Sequence, residues 1–231
     1  MLTLRDIHSF YGRSHILHGV DIDIPQKAIT AIVGRNGTGK TTLLKTIMGL
    51  TDRMEGQIRL GGEDVSASQT FRRARAGIAY VPQGRQIIPD FTVRENILMG
   101  AFASGRQTRE IPPLVPALFP YLMENLNRPG GLLSGGQQQQ LAIARALAAH
   151  PKVLLLDEPT EGIQPNIVEE IQNIVIRLNR DEGLTIVLVE QNVAFARKAG
   201  HHFGMMEKGR VIASGPIDQL TDELVHRHIA V

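Results

Sequence analysis

Lys40 stands in the phrase Gly34-Arg35-Asn36-Gly37-Thr38-Gly39-Lys40-Thr41-Thr42, with the spacing G-x-x-x-x-G-K-[ST]. That spacing carries chemistry when a strand precedes it and a helix follows. Here the apolar run Ala28 to Val33 comes before it, and the helical run Thr41 to Leu50 comes after. Glycines let the backbone wrap so that successive N–H groups point at phosphate oxygens, and the positive end of the next helix adds to the pull. Gly34, Asn36, Gly37, Thr38, Gly39, Lys40, Thr41 and Thr42 are therefore candidate nucleotide-binding residues. Lys40 can reach β- and γ-phosphates, and the Thr41 hydroxyl is placed to ligate Mg²⁺. The plain alternative is a glycine-rich turn that only joins a strand to a helix.

A second group of residues fits the same chemistry. Val153-Leu154-Leu155-Leu156-Asp157-Glu158 reads as a fully buried strand that stops on two acids. Asp157 at such a strand end is a candidate Mg²⁺ ligand, and Glu158 a candidate general base for an attacking water. Gln83, just past the strand Gly77 to Val81, can ligate Mg²⁺ or orient a water. Ser134 can cap a helix whose free N–H groups meet an anion, in Leu133-Ser134-Gly135-Gly136-Gln137 and the apolar helix from Leu141 to Leu147. Tyr11, upstream of the phosphate loop, can stack on an adenine ring or pack on the sheet as a hairpin aromatic.

These residues need a frame. At 231 residues the chain is long enough for one large α/β unit with a sizeable core. Hydrophobic content of 42% and charged content of 21% are ordinary for a globular protein, and a net charge of +2 without basic runs points away from nucleic acid. With no cysteine there is no disulfide framework, thiol nucleophile or thiolate metal site. The N-terminus does not read as a signal peptide, and no apolar run approaches the ~20 residues of a membrane span.

Leu2 to Ile7 and Val20 to Ile24 alternate as strands. Gly56 to Gly62 reads as a strand and turn, and Arg72, Arg73 and Arg75 as a solvated helix face. From about residue 85 to 150 strands give way to helical stretches broken by Pro112, Pro113, Pro116, Pro120 and Pro129. The division expected is a core from 1–84 and 151–231 with a helical subdomain over 85–150. Thr185 to Val189 is the next parallel strand, Met205 to Ile212 a hairpin, and Pro216 to His228 a closing helix. His201-His202 and His226/His228 lack the acids that would make metal pairs of them.

Taken together these motifs resemble the ATP-binding subunit of an ATP-binding-cassette (ABC) transporter, over essentially the whole chain. The family's phosphate loop matches Gly34 to Thr42, its adenine-stacking aromatic Tyr11 and its glutamine loop Gln83. Its signature matches Leu133 to Gln137, and its acidic strand end Asp157 and Glu158. The resemblance implies a P-loop α/β core with a mostly parallel sheet, an antiparallel β subdomain and an inserted helical subdomain. It implies ATP and Mg²⁺ as ligands, and a head-to-tail dimer with two ATP molecules at the interface. Each ATP would lie between one subunit's phosphate loop and the other's Ser134, Gly135, Gly136 and Gln137. It further implies integral membrane permease subunits, an indirect link to a periplasmic or extracellular solute-binding protein, and a peripheral place on the cytoplasmic face of the membrane.

One position departs from the family pattern. Where most members carry a γ-phosphate-contacting histidine, the aligned residue is Gln191, in Val189-Glu190-Gln191-Asn192. Glutamine donates a hydrogen bond but carries no proton or positive charge, so stabilisation at that corner should be weaker. The Val-Glu-Gln subgroup resembles one half of an ATPase pair that drives uptake of branched-chain amino acids or of urea. The other half is a different, histidine-bearing subunit. Within it, Gly135 to Leu141 and Glu158 to Pro165 look most like the urea-type member, with branched-chain amino acids as the alternative. A chromosome or repair ATPase would need a coiled-coil insertion, and a ribosome-associated relative would usually carry a second cassette. A non-catalytic regulator would have lost Lys40 or Glu158.

Overall fold

The computed structural model describes residues 1–105 and 110–229. In chain order the strands and helices begin with β1 (Leu2–Tyr11), β2 (Ser14–Ile24), β3 (Ile29–Val33) and α1 (Lys40–Met48). Next come β4 (Arg53–Leu60), β5 (Glu63–Asp64), α2 (Thr70–Ala76) and β6 (Ile78–Val81). Helices α3 (Val93–Ala103), α4 (Leu114–Leu118), α5 (Pro120–Glu124) and α6 (Gly135–Leu147) precede β7 (Val153–Asp157). Then follow α7 (Pro165–Arg180), β8 (Thr185–Glu190), α8 (Val193–Ala199), β9 (His202–Glu207), β10 (Arg210–Pro216) and α9 (Asp222–His228).

Six strands form the main sheet in the order β10-β9-β3-β8-β7-β6, parallel except at the β10 edge. Its central strands read as unbroken apolar runs because both faces are covered. Leu154, Leu156, Ile186 and Leu188 join the core under α3, α6 and α7. Val153, Leu155, Val187 and Val189 pack with α1 and the smaller sheet. That smaller sheet is antiparallel, in the order β2-β1-β4-β5. A mostly parallel core beside an antiparallel β layer, with helices between β6 and β7, is the expected fold class. Among the described residues no helix is long and apolar enough to cross a membrane.

Several elements differ from the sequence reading. The N-terminal strands extend into one long hairpin turned at Gly12 and Arg13, because the histidine-rich stretch between the apolar patches still pairs, through shifts of register at Leu4/Ile7, Ile7/His8 and Ser9/Phe10. The helix at the signature begins at Gly135, so the glutamine run lies inside it, with Gln139 and Gln140 buried. The C-terminus is a short 3₁₀ turn, Ile217–Gln219, and then α9, with Pro216 still paired in the β10 edge strand.

Of the three arginines read as a solvated face, Arg72 and Arg75 are exposed, but Arg73 departs from that reading. It is buried, and its guanidinium donates to the carbonyls of Thr46, Ile47, Ser66 and Ser68 at 2.7–2.9 Å. Two of these carbonyls belong to the last turn of α1, where intrahelical partners run out. Replacing Arg73 with Met should therefore cost on the order of 2–4 kcal/mol, since it leaves buried carbonyls without donors. Denaturant unfolding of the variant measures that loss.

Candidate functional site

The parallel strands end together. Val33 of β3 is in register with Glu190 of β8, and Val189 of β8 with Asp157 of β7. Open α/β sheets bind ligands at the carboxyl ends of their strands, and every candidate from the phosphate loop and the acidic pair collects there.

The loop from Gly34 closes over the start of α1. Gly39 precedes the helix with φ +102°, and no side chain caps α1, whose first N–H groups therefore face the cleft. A Cβ on Gly39 would stand 3.0 Å from Leu17, so the left-handed turn and the tight packing both need glycine. Lys40 is buried at 4% exposure, its Nζ donating to the Gly34 and Arg35 carbonyls at 2.9 Å each. The same ammonium lies 3.5 Å from Glu158. A cleft of about 270 Å³ is lined by Ile16, Asn36, Gly37, Gly39, Lys40, Thr41, Thr42, Gln83 and Glu158. Uncapped N–H groups, a buried ammonium and this small cleft fit a polyphosphate. Thr38 is placed differently: its hydroxyl donates back to Arg35 and holds the loop.

Thr41 and Asp157 form a matched pair, with Oγ1 donating to Oδ1 at 3.0 Å. The other Asp157 oxygen accepts from the Tyr80 hydroxyl at 2.9 Å. Burial pushes the Asp157 carboxyl above its usual range, and burial beside Asp157 pushes the Tyr80 phenol up. One hydroxyl and one carboxylate beside a phosphate cradle suit Mg²⁺, which keeps waters and phosphate oxygens as its other ligands. Among the described residues no cluster of three or more acidic, histidine or cysteine side chains could hold a metal by itself.

β7 stops at Asp157, one residue short of the expected end, and Glu158 takes a left-handed backbone at φ +46°. Such a conformation in a non-glycine residue costs about 1–3 kcal/mol and persists only where the surroundings enforce it. The Glu158 carboxylate is held by Gln191 Nε2 at 2.8 Å, by Lys40, and more loosely by Gln83 Nε2 at 3.5 Å. Gln83 donates chiefly to Glu161, at 2.6 Å, so its amide nitrogen faces carboxylates rather than Thr41 and Asp157. Gln191 likewise spends its amide on Glu158.

Tyr11 does not line the cleft. Its hydroxyl lies near Thr42, which does, so the ring stands alongside, while Ile16 supplies the apolar wall. Ser134, Gly135, Gly136 and Gln137 also lie off this cleft. Ser134 caps α6 in a reciprocal pair, accepting from the Gln137 N–H while Gln137 Oε1 accepts from its own N–H. Gly136 is needed for packing, since a Cβ there would come within 2.5 Å of Ile167 on α7.

Sequence reasoning missed Ile16, Tyr80, Thr160, Glu161 and Glu190. The strand alternation in Ile78-Ala79-Tyr80-Val81 could have placed Tyr80 on the α1 face beside Asp157. Nothing local marks the other four.

A strand, phosphate loop and helix, with a buried Asp-Glu pair at the neighbouring strand end, define a nucleotide-phosphate-binding ATPase. A family model described as ABC transporter matches residues 17–161. The branched-chain amino acid transport ATP-binding protein BraG of Pseudomonas aeruginosa is 39% identical over 92% of this chain and 91% of its own. LivF of Archaeoglobus fulgidus, named a probable branched-chain amino acid transport ATP-binding protein, is 38% identical over 96% and 94%. Among solved structures, the ADP conformation of the cassette MJ1267 superposes with a TM-score of 0.83 at 28% identity, covering 98% of this chain and 97% of that one. A dimeric post-hydrolysis state of the cassette MJ0796 with ADP and Pi gives 0.82 at 27%, covering 94% and 99%. The chain belongs to the ABC transporter ATP-binding family, whose cassettes bind and hydrolyse ATP.

Proposed function

We propose that this chain is the ATP-hydrolysing subunit of a membrane importer, working beside a second, different ATP-binding subunit. The observation that carries the reading is the Glu158 carboxylate at the cleft, held at once by Lys40 and Gln191. Lys40 and the α1 N–H groups bind the phosphates, and Glu158 takes the proton of an attacking water. Thr41 and Asp157 would hold Mg²⁺, which when bound neutralises charge on the β- and γ-phosphates. Gln83 is a candidate third ligand that would first have to leave Glu161.

The signature residues Ser134 to Gln137 lie off their own cleft, which supports a head-to-tail pair in which they complete the partner's. A homodimer could form in isolation. Gln191, already committed to Glu158, offers no positive charge to a γ-phosphate, which favours pairing with a subunit that carries a histidine. Residues 85–150 then act as the helical subdomain, with Gln83 at its junction passing motion to permease subunits at the cytoplasmic face. A solute-binding protein outside the membrane would deliver the cargo.

For the solute, Gly135 to Leu141 and Glu158 to Pro165 favour urea or a short amide. The printed names of BraG and LivF favour branched-chain amino acids instead. Uptake of labelled urea and labelled leucine, with and without the gene, decides between them. Loss of urea uptake alone is the expected result. Loss of leucine uptake alone would move the protein to the amino-acid branch, and no change in either would sink the importer reading.

A further inference from the structure

Two short segments face each other where β7 and β8 end: Glu158-Pro159-Thr160 and Val189-Glu190-Gln191-Asn192. The Glu158 N–H donates to the Val189 carbonyl at 2.9 Å. Gln191 Nε2 donates to Glu158 Oε2 at 2.8 Å. In the opposite sense, the Thr160 hydroxyl donates to Glu190 Oε1 at 2.8 Å. The second Glu190 oxygen accepts from the Asn192 N–H at 3.4 Å. Each segment thus supplies one side-chain donor and one carboxylate, and the bonds close a ring through both.

Glu190 is only 3% exposed and does not line the cleft. A buried carboxylate is costly unless its oxygens are hydrogen-bonded, and a hydrophobic residue would fill the space more cheaply. Glu158, meanwhile, sits in a left-handed conformation that only its surroundings can enforce. We infer that Glu190 and Thr160 are positioning residues: together they pin the turn that carries Glu158, so that Gln191 meets its carboxylate in one geometry. The inference rests on Glu158 being the base. Glu190 lies off the cleft; it acts through Thr160 on the turn and, by its place next to Gln191, on the amide that holds the base.

Thr160→Val keeps the shape of the side chain and removes the hydroxyl, while Thr160→Ser keeps the hydroxyl. The test is steady-state ATP hydrolysis by the full-length chain across a range of ATP and protein concentrations, with unfolding temperatures measured alongside. Thr160→Val should lose roughly tenfold or more in kcat, the scale of a misplaced catalytic group, with KM for ATP and the unfolding temperature near the parent's. Thr160→Ser should restore turnover. Glu190→Ala should match Thr160→Val, and the double variant should be no worse than either alone, as for residues acting as one unit.

Parent-like turnover in Thr160→Val would overturn the inference. So would a rise in KM that accounts for the loss, or Thr160→Ser as slow as Thr160→Val. If Glu190→Ala does not fold, the two Thr160 variants still decide. Glu158→Gln, run beside them, separates the two levels of the argument. Activity retained in that variant sinks the base assignment, whereas activity lost there but kept in Thr160→Val sinks only the positioning role.

Discussion

Glu158→Gln should stop turnover while leaving ATP bound. The substitution preserves the length of the side chain, and its amide oxygen can still accept from Gln191, whose Nε2 lies 2.8 Å from the present carboxylate. What disappears is the group that takes a proton from water. A positioned base contributes about 10²–10⁴ in rate, so hydrolysis should fall at least a hundredfold. Lys40 and the N–H groups of α1 stay in place, and the affinity for ATP should hold. An ATP-loaded pair that cannot hydrolyse cannot use that step to separate, so sedimentation with ATP should show a dimer that the parent populates only briefly. Turnover close to the parent's would remove Glu158 from the mechanism and pass the role to another group near the cleft.

Lys40→Ala should act on binding first. The ammonium is buried, donates to two loop carbonyls, and sits 3.5 Å from Glu158. A hydrogen bond from a charged donor is worth about 1.5–3 kcal/mol, so removing Lys40 should weaken ATP binding by roughly 10- to 100-fold. Hydrolysis should then be lost even at saturating nucleotide, because developing charge on the phosphates meets no counter-charge. Lys40→Arg is not expected to rescue it, since a planar guanidinium does not fit a niche built around a compact ammonium. Equilibrium binding of a fluorescent ATP analogue checks the first statement and single-turnover hydrolysis the second. Parent-like affinity in Lys40→Ala would mean that the backbone cradle alone holds the phosphates.

The contrast between what could be read in advance and what could not follows the range of the interactions. Gly34 to Thr42 is legible because a phosphate cradle is local: its glycines, lysine and hydroxyls are consecutive. Asp157 and Glu158 are legible because a buried apolar strand rarely ends on two acids. Ser134 shows itself through short-range helix-cap chemistry. Arg73 was misread because its carbonyl partners on α1 lie 26 and 27 residues back in the chain, out of reach of any local pattern. Glu190 and Thr160 are 30 residues apart, and their bond exists only because β7 and β8 are neighbours. Gln83 was rightly located by its strand end, yet its partner Glu161 is 78 residues away, and only the folded chain turns the amide toward carboxylates.

The guanidinium of Arg73 gives α1 an asymmetry with mechanical meaning. The far end of that helix is bolted by a buried positive charge, which also offsets the negative pole of its backbone dipole. The near end, uncapped, is left for an anionic guest. A rod clamped at one end cannot act as a piston when the guest arrives. The guest therefore seats against a fixed surface, and the groups left to register its arrival are side chains that reach the cleft from outside α1, among them Gln83, whose amide meets Glu158 and Glu161.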